Sequence, residues 1–194
     1  KGRPGRRRMM RRPGGFCRPA TGPRVASEAD DFALDLSAPF DQCRETIVGD
    51  WVDLNQHMNV AYYMVVFDRA TEAFLRQLGA GRDYTRSGEG TVFALEAVVK
   101  YERELRLHDT VRITTRLVAR TGKLLHLLHT MYHAASEERA STMELLLLHV
   151  DPVRRRGTPW PAAIAGRVES VFAAHRALAS ADDAHHKIRV RPAT

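Results

Sequence analysis

The stretch VAYYMVVFDRATEAFLRQLG, residues 60–79, decides the fold. Within it Val60, Tyr63, Met64, Phe67, Thr71, Phe74 and Leu78 recur at helical spacing, and Gly79 and Gly81 end the run. Arg69, Glu72 and Arg76 lie on the opposite face. The first two turns, however, are apolar nearly all the way round, which marks a helix buried on several sides. Such a helix has to be wrapped by its surroundings, because covering one stripe would leave apolar surface in water.

Working outward, residues 40–48 read as a strand closed by Gly49, and residues 50–59 as a polar loop. Beyond the helix the period changes. Residues 91–105, 110–119, 123–134 and 140–150 are β-rich runs, separated by turn signals at His108-Asp109, Thr121-Gly122 and the polar stretch 136–139. Connections this short imply antiparallel neighbours. A last amphipathic stretch, residues 163–178, sets Ile164, Val168, Phe172, His175 and Leu178 along one helical stripe. The order is strand, buried helix, four strands, terminal helix. This predicts an α+β chain in which one curled antiparallel sheet wraps a central helix, the hotdog arrangement, plus a C-terminal helix. The expected divisions are a disordered basic tail (1–35), the hotdog domain (36–160), the C-terminal helix (161–180) and a flexible tail (181–194). A single curled sheet leaves an open edge, so a homodimer or a dimer of dimers is expected.

Composition narrows the functional classes. The 194 residues suit one domain with tails, and 44% hydrophobic with 27% charged residues is ordinary for a globular chain. The net charge of +7 suggests nucleic acid until it is partitioned. Residues 1–26 hold nine basic and no acidic side chains, which leaves 21 basic against 23 acidic beyond them, a net of −2. The basic character thus belongs to the tail. That tail lacks the interleaved aromatics of a stacking surface. It reads as a disordered extension or as upstream sequence, with Met9 and Met10 as candidate starts, and no nucleic-acid partner is expected. No apolar stretch approaches the ~20 residues of a membrane span, and none follows the basic N-terminus as a signal peptide would, so a cytoplasmic protein without a membrane partner is expected. Cys17 and Cys43 form neither a disulfide framework nor a metal-ligand spacing.

The chemistry concentrates in Trp51-Val-Asp53-Leu-Asn55-Gln-His57-Met58-Asn59-Val60. Three polar residues at i, i+2 and i+4 in an extended loop can point the same way, just ahead of a helix N-terminus. The amides around Met58, Asn59 and Val60 would offer hydrogen bonds and the positive end of a dipole. A carboxylate and an imidazole beside such amides suit attack on an acyl carbonyl. Ordinary capping explains the same residue types equally well. His126, His129 and His133 do not make a metal site: by strand period His126 faces away from His129, which lies ~13 Å from His133.

The run from Asp53 to Asn59 resembles the D-x-N-x-H-V-N signature of hotdog-fold thioesterases, the 4-hydroxybenzoyl-CoA thioesterase-like superfamily, including the plant acyl-carrier-protein thioesterases. The wider segment 51–79, with Phe93-Ala-Leu-Glu-Ala and Tyr101-Glu-Arg-Glu-Leu-Arg-Leu, resembles bacterial acyl-CoA thioesterases and is most similar to the betainyl-CoA type associated with carnitine catabolism. The resemblance implies hydrolysis of an acyl-CoA thioester, with no cofactor beyond the coenzyme A of the substrate and no metal. It implies that Asp53 is the catalytic carboxylate, acting as nucleophile or general base, that Asn55 and His57 orient water, and that Glu104 helps to activate it. Where the plant enzymes carry a cysteine after that glutamate, this chain has Leu105, which excludes a cysteine mechanism there.

Trp51, Tyr62, Tyr63 and Phe93 are the aromatics nearest this chemistry and are the expected cage for a quaternary ammonium, with Glu96 as a second pocket carboxylate sharing a strand face with Glu104. Arg120 and Lys123 flank a turn and are candidates for the coenzyme A phosphates. Three other functions use the same features: an acyl-carrier-protein thioesterase, a hotdog dehydratase, and a non-catalytic acyl-CoA-binding module. Release of free thiol separates the first from the other two.

Overall fold

The computed structural model describes residues 39–178 together with Ile188 and Val190, so the stretch expected to form a basic tail lies outside the described residues. In chain order the elements are β1 (Phe40–Thr46), a 3-10 turn (Gly49–Trp51), α1 (Val60–Gln77), α2 (Arg82–Ser87), β2 (Thr91–Tyr101), β3 (Thr110–Arg120), β4 (Leu124–His133), β5 (Arg139–Asp151), β6 (Arg156–Gly157) and α3 (Ala162–Arg176). Five strands make one antiparallel sheet in the order β1-β3-β4-β5-β2, and β6 pairs with β5. The hotdog arrangement read from residues 60–79 is the one observed. Among the described residues no helix is long and apolar enough to cross a membrane.

The sheet curls round α1 because alternate residues of each strand point at it. Val66, Phe67, Ala70, Phe74 and Leu78 of α1 are buried against Ile113, Leu117, Leu125, Leu127, Met131, Met143, Leu145 and Leu147. A small polar cluster sits in this layer. His129 is fully buried, with Nε2 3.0 Å from the Thr71 hydroxyl and Nδ1 2.9 Å from that of Thr115. Thr71 spends its own hydrogen on the Phe67 carbonyl, so His129 donates from Nε2. Burial pushes its pKa down to about 3, which leaves the ring neutral with Nδ1 as the acceptor from Thr115.

Two boundaries differ from the sequence reading. The strand expected over 91–105 stops at Tyr101, because the N–H groups of Glu102 and Arg103 both donate to one carbonyl, that of Ala140. The chain leaves the ladder there, and Leu105 turns inward until it is fully buried. The short helix α2 was not foreseen, since six residues carry too little periodicity to register. It packs so near the sheet that a Cβ on Gly90 would lie 2.2 Å from the Tyr84 hydroxyl and 2.4 Å from His149 Nε2.

The outer face of the sheet carries a buried pair. His126 Nε2 lies 3.2 Å from Glu144 Oε2, which also accepts the N–H of Ile188 at 2.9 Å. Ile188 is itself buried, so the flexible tail expected over 181–194 is corrected at this residue: it is docked on the sheet. The terminal helix joins the main core through Ile164, Val168 and Val171, and His175 Nδ1 accepts the Leu117 N–H, which lies at a β-bulge in β3.

Candidate active site

Residues 52–58 are not the extended loop that the i, i+2, i+4 reading requires. Val52 and Met58 form an antiparallel bridge, Asp53 N–H donates to the His57 carbonyl at 3.0 Å, and Gln56 N–H donates to the Asp53 carbonyl at 3.0 Å. This is a tight hairpin whose turn closes through Gln56 at φ 63°, a left-handed conformation that favours glycine. The hairpin places Asp53 and His57 opposite one another at its mouth, where facing side chains lie ~5 Å apart at Cβ. Asn55 instead sits at the exposed tip, and its N–H donates to Asp53 Oδ1 at 2.8 Å. Among the described residues the bond given for Asn55 is thus made by its backbone, and its side chain is exposed.

The third candidate side chain, Glu104, arrives from the loop after β2. His57 Nε2 lies 2.8 Å from Glu104 Oε2, with the two side chains 31% and 55% exposed. Arg106 reaches the other carboxylate oxygen at 3.4 Å. The peptide on either side of Glu104 is held from the helix side: Tyr63 donates its hydroxyl to the Arg103 carbonyl at 3.2 Å, and Met58 N–H donates to the Leu105 carbonyl at 2.7 Å. His57 and Glu104 thus meet just ahead of α1, and Asp53 is joined to His57 through the hairpin backbone.

Helix α1 is capped by Asn59, whose side chain accepts from Ala61 N–H at 3.0 Å. Of the three amides expected to hold an oxyanion, two are already committed. Met58 N–H bonds the Leu105 carbonyl and Asn59 N–H bonds the Trp51 carbonyl at 2.8 Å. Val60 is exposed at the first position of α1, and among the described residues its N–H has no acceptor. One helix-terminal amide therefore fits the task, with the dipole of an 18-residue helix behind it.

The aromatic cage expected for a cation does not form within this chain. Trp51 is stacked on Tyr62 at 5.4 Å, and the Arg69 guanidinium lies 5.4 Å over the Trp51 ring. Tyr63 is buried with its hydroxyl turned to backbone. Phe93 and Glu96 pair with Leu148 and Leu146, on the sheet face that points away from α1. Glu96 shares no strand face with Glu104, because Glu104 lies beyond the end of β2. Arg120 is ion-paired with Glu169 and lies 5.1 Å from the Phe172 ring, which ties it to α3. Arg120 and Lys123 flank the turn at the far end of β3, and eleven residues of strand put that turn ~33 Å from the site end. Neither can clamp a phosphate near Asp53 of the same chain. Among the described residues no cluster of His, Cys, Asp or Glu could hold a metal ion.

Comparison with known proteins bears on this site. Residues 48–168 match the thioesterase-like superfamily. The betainyl-CoA thioesterase of Pseudomonas aeruginosa is 31% identical over 132 residues, 68% of this chain and 83% of that protein. The L-carnitine dehydrogenase/betainyl-CoA thioesterase of a Rhizobium species is 29% identical over 134 residues, 69% of this chain and 27% of that much longer protein. A Staphylococcus aureus protein solved in complex with CoA shares the fold at a TM-score of 0.71 and 23% identity, covering 80% of this chain and 97% of that one.

Proposed function

The chain belongs to the thioesterase-like superfamily and is a thioester hydrolase; from that premise we propose that it cleaves betainyl-CoA to free betaine and coenzyme A. The observation that carries the chemistry is the 2.8 Å contact between His57 and Glu104 beside Asp53, at the start of α1. In this reading Asp53 takes a proton from water, whose oxygen adds to the acyl carbon. The Val60 N–H receives the developing negative charge on the thioester oxygen. His57, held by Glu104, orients the water. The C–S bond then breaks, and the thiolate leaves with little help, since a thiol of pKa ~8.5 is a good leaving group. Coenzyme A enters as part of the substrate.

The betainyl group is supported by the relatives' names. The expected aromatic cage does not support it, because its members are occupied or face elsewhere. The assay that tests the reading is thiol release from betainyl-CoA, acetyl-CoA, butyryl-CoA and octanoyl-CoA, compared by kcat/KM. A preference for neutral chains overturns the betainyl assignment and leaves the hydrolase standing. Acyl groups presented on an acyl carrier protein form a further arm.

We also propose a homodimer formed through β2. This edge strand is eleven residues long and bears the exposed Phe93 and Leu95, while Val60, Met64 and Val65 expose apolar surface on α1. An unpaired apolar edge of this length is an aggregation hazard unless a second copy covers it. Light scattering on the full chain that gives a monomer mass at assay concentration would overturn this.

A further inference from the structure

We propose that Tyr63 is a positioning residue that fixes Glu104 against His57, and this rests on the reading above that Glu104 takes part in hydrolysis. Glu104 sits in a loop after the last residue of β2, with 55% of its side chain exposed. A carboxylate on such a loop samples many positions unless its backbone is fixed. Besides the Arg103 N–H bond to Ala140 and the Arg106 N–H bond to Asp109, two hydrogen bonds hold it to the chain around His57, one on each side. The Tyr63 hydroxyl holds the carbonyl of Arg103, and the Met58 N–H holds the carbonyl of Leu105. Leu105 adds a fully buried side chain as anchor.

Both donors belong to the piece of chain that carries the partner imidazole. Met58 follows His57 directly, and Tyr63 lies in the first turn of α1. The loop of Glu104 is therefore tied to the same rigid body as His57. The Tyr63 ring packs edge-on against Tyr101 at 5.1 Å and 84°, where the chain departs from β2. Burial pushes the phenol up to about 12, so it stays a donor throughout the working range of pH. Its hydroxyl points at backbone, so it acts through Glu104 and needs no contact with substrate.

The test is a double-mutant cycle on the full chain, with thiol release as readout. Tyr63→Phe removes only the hydroxyl and keeps the packed ring. We expect kcat about tenfold lower with KM within about twofold, since small misplacements of a reacting group cost rate. In a Glu104→Gln background, the same substitution should cost less than about twofold. A purely structural role would cost the same in both backgrounds, and that result overturns the proposal. So does a Tyr63→Phe enzyme as active as the parent while Glu104→Gln is impaired. Full activity in Glu104→Gln alone refutes the role of Glu104 and takes this proposal with it, a distinct outcome.

Discussion

Two histidine–glutamate pairs in this chain are built from identical groups and do different work. His57 and Glu104 meet at 2.8 Å with 31% and 55% of their side chains exposed, opposite Asp53 and beside a free helix-terminal amide. His126 and Glu144 meet at 3.2 Å with 2% and 10% exposed, under the docked Ile188. The first pair is open to solvent. The second is buried, and its carboxylate ties two strands to Ile188. The pairing itself is therefore not the mark of the site. Exposure and a neighbouring helix-terminal amide distinguish the pair proposed to be reactive from the buried one.

The contrast can be broken by substitution. Asp53→Asn should lower kcat about a thousandfold and leave the melting temperature nearly unchanged, because a general base is worth about 10²–10⁴ in rate. A variant that melts lower but turns over normally would reduce Asp53 to a turn residue. Next come the two glutamates. Glu144→Ala should destabilise the fold by about 3 kcal/mol, as expected when one member of a buried pair is removed, with kcat in the surviving enzyme little changed. Glu104→Gln should do the reverse, with kcat down about a hundredfold and stability altered by less than about 1 kcal/mol. Denaturant melts and thiol release on both variants check the pair of outcomes together. If both variants lose stability and neither loses turnover, the distinction between the pairs is wrong.

Another buried histidine sharpens the contrast by pH. The neutral His129 ring has its pKa pushed down to about 3 by burial, whereas the unfolded chain takes up that proton near 6.5. The stability it contributes is complete above about pH 6.5 and is lost progressively as pH falls toward about 3. Melting temperature should decline over that window, and His129→Asn, which cannot take up a proton, should show a flatter profile. The smallest effect belongs to the hairpin itself. Gln56→Gly should stabilise by about 0.5 kcal/mol by relieving the left-handed backbone at φ 63°, with kcat nearly unchanged.

The sequence by itself determined the wrapped helix and the layer around it. A helix apolar on nearly every side over its first turns admits few solutions, and alternating strands with short polar turns supply the curled antiparallel sheet. It also singled out the stretch proposed to be reactive, because Asp53, His57 and the start of α1 are neighbours along the chain. Tertiary structure alone decided the rest. It made the loop a hairpin that sends Asn55 outward, and ended β2 at Tyr101 so that Glu104 swings to His57. It committed the Met58 and Asn59 amides, turned Phe93 and Glu96 away from α1, stacked Trp51 between Tyr62 and Arg69, and docked Ile188 on the sheet. The end of β2, the reach of Glu104 to His57 and the docking of Ile188 each rest on one group meeting another far off in sequence. Periodicity reports which face of an element is buried, and carries no record of which distant partner a single N–H or carboxylate will find.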